Sequence, residues 1–92
     1  MKKYIVTATY PSRPAEDCGA IVMPCKSRRD AEDHVYALFR AFIQDIGYSK
    51  TYPSQFKNWG NGYCIAICKE ILEPGKVQIS CVYQVHEVNF PE

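Results

Sequence analysis

Five cysteines and two histidines are the residues in this chain with the most chemistry to offer. A cysteine nucleophile needs a base held beside it, and only His34 and His86 could serve. Neither lies in a local signature that brings a thiol and an imidazole together. As metal ligands, the same histidines with Cys18 and Cys25 match no zinc spacing. No two cysteines have Cys-x-x-Cys spacing. Cys64 and Cys68 lie roughly 13 Å apart if their segment is a strand, beyond the ~7 Å that a disulfide spans. Buried reduced thiols acting as small apolar groups, in a cytosolic setting, are the simplest account. The run Trp59-Gly60-Asn61-Gly62 lacks the Lys-Ser/Thr pair that makes a glycine-rich loop a phosphate cradle. The expectation is a non-enzyme, with no catalytic residue, cofactor or metal.

Residues suited to binding are better represented. Between Ile46 and Lys69 there is no acid, and Tyr48, Tyr52, Phe56, Trp59 and Tyr63 are interleaved with Lys50 and Lys57. Aromatics beside cations suit protein hot spots and stacking against unpaired bases. Phe56 and Trp59 are equally suited to closing the open end of a sheet. A second group, Lys26-Ser27-Arg28-Arg29, places three cations at a helix start, where they do nothing for the helix dipole. With the free N–H groups there they could hold a phosphate or carboxylate. Arg29 is also spaced to pair with Asp33 on a solvated face. The partner-binding candidates are therefore Lys26, Arg28, Arg29, Lys50, Lys57 and Trp59. Pro11-Ser12-Arg13-Pro14 has PxxP form, too common a pattern to mark a ligand.

These groups must be carried by one domain, since the chain has 92 residues. With 47% apolar and 23% charged residues it is composed like a globular fold. A net charge of +1 argues against a general nucleic-acid binder held by phosphate neutralisation. No apolar run is long enough to cross a membrane. Met1 to Tyr10 is not read as a signal peptide, because Thr7 and Thr9 interrupt its apolar stretch and Pro11 stops it.

The positioning elements follow from periodicity. Lys3 to Tyr10 alternates and is rich in β-branched residues, which predicts a strand. Ala15 to Gly19 reads as a polar loop, and Ala20 to Cys25 as a short strand containing Pro24. Ser27 is a natural N-cap with Asp30 three residues on. Val35, Leu38, Phe39, Phe42, Ile43 and Ile46 then form the apolar stripe of a helix that Gly47 ends. Gly47 to Tyr63 reads as a long loop. Tyr63 to Ile71 is apolar on both faces, and Glu73-Pro74-Gly75-Lys76 fits a type II turn. Val77, Ile79, Cys81, Tyr83 and Val85 alternate, with a parity change at Glu87-Val88 that a bulge would absorb and Phe90 continuing the series. The expected fold is α+β in ββαββ order: an antiparallel β-sheet of three to four strands with one main helix on one face.

From Met1-Lys2-Lys3-Tyr4-Ile5-Val6-Thr7-Ala8-Thr9-Tyr10-Pro11, through the Ser27 helix, to Cys81-Val82-Tyr83-Gln84, the chain resembles phage-encoded anti-CRISPR proteins, and most closely the type I-F inhibitors. The resemblance extends over the whole length in general appearance, and no family residue is carried over with it. It implies stoichiometric inhibition in the host bacterial cytoplasm. The implied partners are Cas subunits of the crRNA-guided type I-F surveillance complex, with the crRNA backbone as a further contact. Target-DNA binding or interference would be blocked. Two other readings stay open: a small nucleic-acid-binding phage regulator, and a thiol-dependent enzyme.

Overall fold

Which side chains fill the core explains the architecture. In the computed structural model, which describes residues 2–11, 21–60 and 63–89, the fully buried side chains are small. Val6, Val35, Cys64 and Cys68 are the largest of them. Val6, Ala8, Cys64, Ala66, Cys68, Cys81 and Val85 form a floor of small groups on one face of a sheet. Ala31 and Val35 of a single helix press into it, with Leu38, Phe39 and Phe42 packed around them. Small residues on both sides let the helix lie close to the strands.

That helix, α1 (Arg28–Ile46), begins and ends where capping chemistry predicts. Ser27 Oγ accepts a hydrogen bond from Asp30 N at 3.1 Å. Asp30 Oδ2 accepts from Lys26 N at 3.4 Å, one residue earlier than a standard capping box. At the other end Gly47 has φ 92°, and its N–H donates to Ile43 O at 2.9 Å. Among the described residues no helix is long and apolar enough to cross a membrane.

The sheet has five strands, not the three to four expected: β1 (Lys2–Thr9), β2 (Ile21–Cys25), β3 (Gln55–Asn58), β4 (Cys64–Glu73) and β5 (Lys76–Asn89). All pairs are antiparallel, in the order β2-β1-β5-β4-β3. The chain order is therefore ββαβββ. The additional strand, β3, lies inside the segment expected to be a loop, after a 3-10 turn at Tyr48–Lys50. It has four residues, Gln-Phe-Lys-Asn, with only Phe56 half-buried, so it carries no periodic signal. Pro24 is accommodated because β2 is an edge strand.

A second correction concerns β5. The parity change lies at Ser80, not at Glu87-Val88. Cys68 pairs with Cys81 and Lys69 with Ile79, leaving Ser80 as the extra residue of a bulge. Val77 and Ile79 are thereby turned to the face opposite Cys81, Tyr83 and Val85. Both faces of β5 carry β-branched residues, so alternation alone could not locate the bulge. Val88 continues the ladder opposite Lys3, and Phe90 lies outside the described residues. At the hairpin tip the expected turn forms, with Gly75 at φ 83°.

Among the described residues nothing covers the other face of the sheet. Ile5, Ile65, Ile67, Ile71 and Ile79 project there, beside Val22, Val77, Val82 and Val88. The isoleucines of β1, β4 and β5 are thus on the side that nothing described covers, while the fully buried strand residues under α1 are Val, Ala and Cys, with Tyr4, Met23, Phe56 and Tyr83 packed around them.

Candidate functional site

The two segments expected to bind are joined through one buried carboxylate. Glu32, in the second turn of α1, is nearly buried. Its Oε2 accepts a hydrogen bond from Asn58 Nδ2 of β3 at 3.1 Å. Its Oε1 lies 3.6 Å from Arg28 Nε and takes part in no hydrogen bond. The helix start and the end of β3 are thus fastened side by side, which brings Arg28 and Trp59 to the same end of the sheet.

Beyond Asn58 the chain turns sharply. Asn58 Oδ1 accepts from Gly60 N at 2.9 Å, and Trp59 N donates to Tyr63 O at 3.1 Å. The two rings meet at a centroid distance of 4.2 Å. Both stay accessible, Trp59 at 57% and Tyr63 at 41%, so neither is consumed in closing the core. Phe56 behaves differently. It is half-buried, 5.2 Å from Tyr36 and 5.7 Å from Phe39, and anchors β3 against the helix.

Helical spacing then extends the site. Arg28, Glu32, Tyr36 and Arg40 follow at i, i+4, i+8 and i+12 along the flank that faces β3. Arg40 Nη1 donates to Tyr36 Oη at 3.3 Å, and its guanidinium lies 5.9 Å from the Tyr36 ring centroid. The result is an exposed strip roughly 18 Å long made of Arg, Tyr and Trp, the types over-represented at binding hot spots. It borders β3, an edge strand whose backbone is paired on one side only.

Lys26 and Arg29 join this end, since both are exposed beside the helix start. Arg29 lies 4.0 Å from Asp33 with both side chains in solvent, a contact worth little. Lys50 is not brought to the strip. It follows the far end of α1, roughly 28 Å from Arg28 along the helix, and borders an open recess of about 360 Å³ with Glu70, Leu72 and Glu73. Lys57 pairs with Ile65, on the face turned away from α1. Tyr52 lies exposed near Lys69, whose Nζ is 5.7 Å from its ring centroid. Ser12, Arg13, Pro14, Cys18 and the side chain of Tyr48 lie outside the described residues. Tyr36, Arg40, Glu32 and Asn58 are contributors that apolar periodicity does not mark; for the helix residues, the i, i+4 recurrence on its polar side is the signal in the sequence.

The described thiols and imidazoles are not part of the strip. Cys64 and Cys68 are fully buried. Burial, and then the charge of Glu32, pushes the Cys64 thiol up to about 11. Burial, and then Cys81 beside it, pushes Cys68 up to about 12. Cys25 is raised by burial and then by Asp30. All three stay protonated at neutral pH, the wrong state for a nucleophile. His86 Nε2 shares a 2.9 Å hydrogen bond with Thr7 Oγ1, and His34 Nε2 lies 3.2 Å from Met23 Sδ. Among the described residues no three His, Cys, Asp or Glu side chains converge as a metal site. Compared with known proteins, the chain matches no family model, no curated protein and no solved structure.

Proposed function

We propose that this chain acts by binding a macromolecule, with the strip along β3 as its contact surface. The observation that carries the reading is the Glu32 junction. It gathers Arg28, Trp59 and Tyr63 with Tyr36 and Arg40 into one accessible cationic and aromatic surface. The high thiol pKa values support binding over thiol chemistry. The resemblance to phage-encoded type I-F inhibitors supplies the identity of the partner. In this reading the chain is an anti-CRISPR protein that binds Cas subunits of the crRNA-guided surveillance complex and blocks target-DNA binding or interference. A near-neutral domain with a local cationic strip suits a ribonucleoprotein target, because its attraction is directed and not general.

Co-elution with purified type I-F surveillance complex on a sizing column tests the proposal. The wild-type chain should co-elute at micromolar concentration, and the Trp59→Ala/Arg40→Glu double variant should not. Separate elution of the wild type would refute the assignment of partner. A second reading, binding to free nucleic acid, is favoured by the acid-free stretch that contains Lys50 and Lys57. It requires affinity for a single strand that falls steeply with salt; flat salt dependence removes it.

A further inference from the structure

The central strands of this protein place their isoleucines on the side that nothing described covers, while Val, Ala and Cys fill the buried positions under α1. On β4 the helix-facing positions are Cys64, Ala66 and Cys68, all fully buried, while the alternate positions are Ile65, Ile67 and Lys69. On β1, Val6 and Ala8 face the helix beside Tyr4, and Ile5 faces away with Thr7 and Thr9. Outward Val22, Val77 and Ile79 are 56%, 44% and 42% accessible. An antiparallel sheet can leave one face to water, but strands that carry branched aliphatics on both faces have the pattern of strands buried on both.

We infer that the uncovered face is where a second copy of this chain docks, giving a two-fold dimer layered helix–sheet–sheet–helix. Area is the first argument. With strands about 4.8 Å apart and same-face residues about 6.7 Å apart, each outward position occupies roughly 32 Å². The five strands together then offer roughly 600 Å² per copy, or about 1,200 Å² in the pair, the lower bound for a stable specific interface. Two such faces stack well, because twisted sheets pack aligned about 10 Å apart with their side chains interdigitated.

Chemistry at the centre of the face is the second argument. Thr7 and Gln84 pair across β1 and β5, with Ile5–His86 beside them and Ile67–Val82 on the next pair of strands. His86 Nε2 and Thr7 Oγ1 already bond one another at 2.9 Å, so that hydrogen bond is kept when the face is covered. Gln84 carries a donor and an acceptor in one amide, which lets it pair with its own copy across a two-fold axis. The centre holds no carboxylate, ammonium or guanidinium group and is self-complementary. Lys57 and Lys69 lie at the border, on or beyond the short edge strand, where long side chains keep their ammonium groups in water. With a net charge of +1 per chain, two copies repel little.

Sedimentation equilibrium of the full chain, from low micromolar to sub-millimolar concentration, tests this. The wild type should approach twice its 10.5 kDa mass as concentration rises, and its melting temperature should rise with it. Ile67→Lys at the centre and Val22→Lys, at an already half-exposed position, should each hold the monomer mass with unchanged far-UV circular dichroism. Gln44→Lys, on the solvent side of α1, should dimerise like the wild type. If Ile67→Lys unfolds, Val22→Lys decides. A wild-type chain that stays monomeric throughout, or a dimer untouched by the outward variants, overturns the inference.

Discussion

Replacing Glu32 by alanine should both destabilise the fold and disable the candidate site. The side chain makes two contacts of unequal value. The hydrogen bond from Asn58 ends on a nearly buried carboxylate and is charge-assisted, a type worth about 1.5–3 kcal/mol. Asn58 is itself exposed and regains water when the carboxylate is removed, which lowers the net loss. The pair with Arg28 is longer, at 3.6 Å, and the guanidinium is half in solvent, so screening leaves it at most about 0.5 kcal/mol. Glu32→Ala should therefore cost about 1–2 kcal/mol, seen as a lower midpoint in urea with unchanged slope. In a domain of this size that corresponds to a fall in melting temperature of about 4–15 °C. Glu32→Gln keeps a neutral acceptor for Asn58 and gives up the charge assistance and the Arg28 pair, so it should lose less than Glu32→Ala, about 0.5–1 kcal/mol. A double-mutant cycle of Glu32→Ala with Asn58→Ala should show a coupling of about 1 kcal/mol. Coupling near zero, or Glu32→Gln as damaging as Glu32→Ala, would show that the junction does not hold β3 to the helix.

Other perturbations follow from the same geometry. Folding raises the Cys64 and Cys68 thiols from 9.0 to about 11 and about 12, so the unfolded chain loses these protons first. Stability should be flat through neutral pH and fall above pH 9 by about 1.4 kcal/mol per pH unit for each thiol, and native-state alkylation of both should be slow at pH 7.5. Ser27→Ala removes the side chain that receives the Asp30 N–H and should cost about 1 kcal/mol in denaturant melts. Gly75→Ala forces a side chain onto φ 83° at the β4–β5 turn and should destabilise by about 1 kcal/mol, whereas the same change at an ordinary φ would not. Trp59→Ala, at a ring 57% accessible, should leave the melting temperature within about 3 °C of wild type and remove the binding read by co-elution.

What the sequence made legible divides by physical cause. The helix and its caps were readable because they are local: Ser27, Asp30 and Gly47 act within four residues of where they stand. The Pro74-Gly75 turn was readable for the same reason. The bulge at Ser80 and the strand at Gln55–Asn58 were not, because each is decided by a partner far along the chain. Ser80 is left over only once Cys68 has met Cys81, and β3 exists only because β4 offers an edge and Phe56 finds Tyr36 and Phe39. The candidate site follows the same division. Arg28 and Trp59 stand out singly as a cation and an aromatic ring, but their neighbourhood is a tertiary fact, carried by a carboxylate that looks in sequence like any acid near a helix start. The outer face is legible only in part: Tyr63 to Ile71 is apolar on both sides, but full burial holds for the side chains under α1, and their alternates Ile65, Ile67 and Ile71 are only partly buried. An Ile-rich outer face opposite an Ala/Cys-rich inner one is what a two-layer domain needs if its own core is thin and further burial comes from a second molecule. The helix-side residues are then chosen for close approach, and the outward residues for the area they can bury.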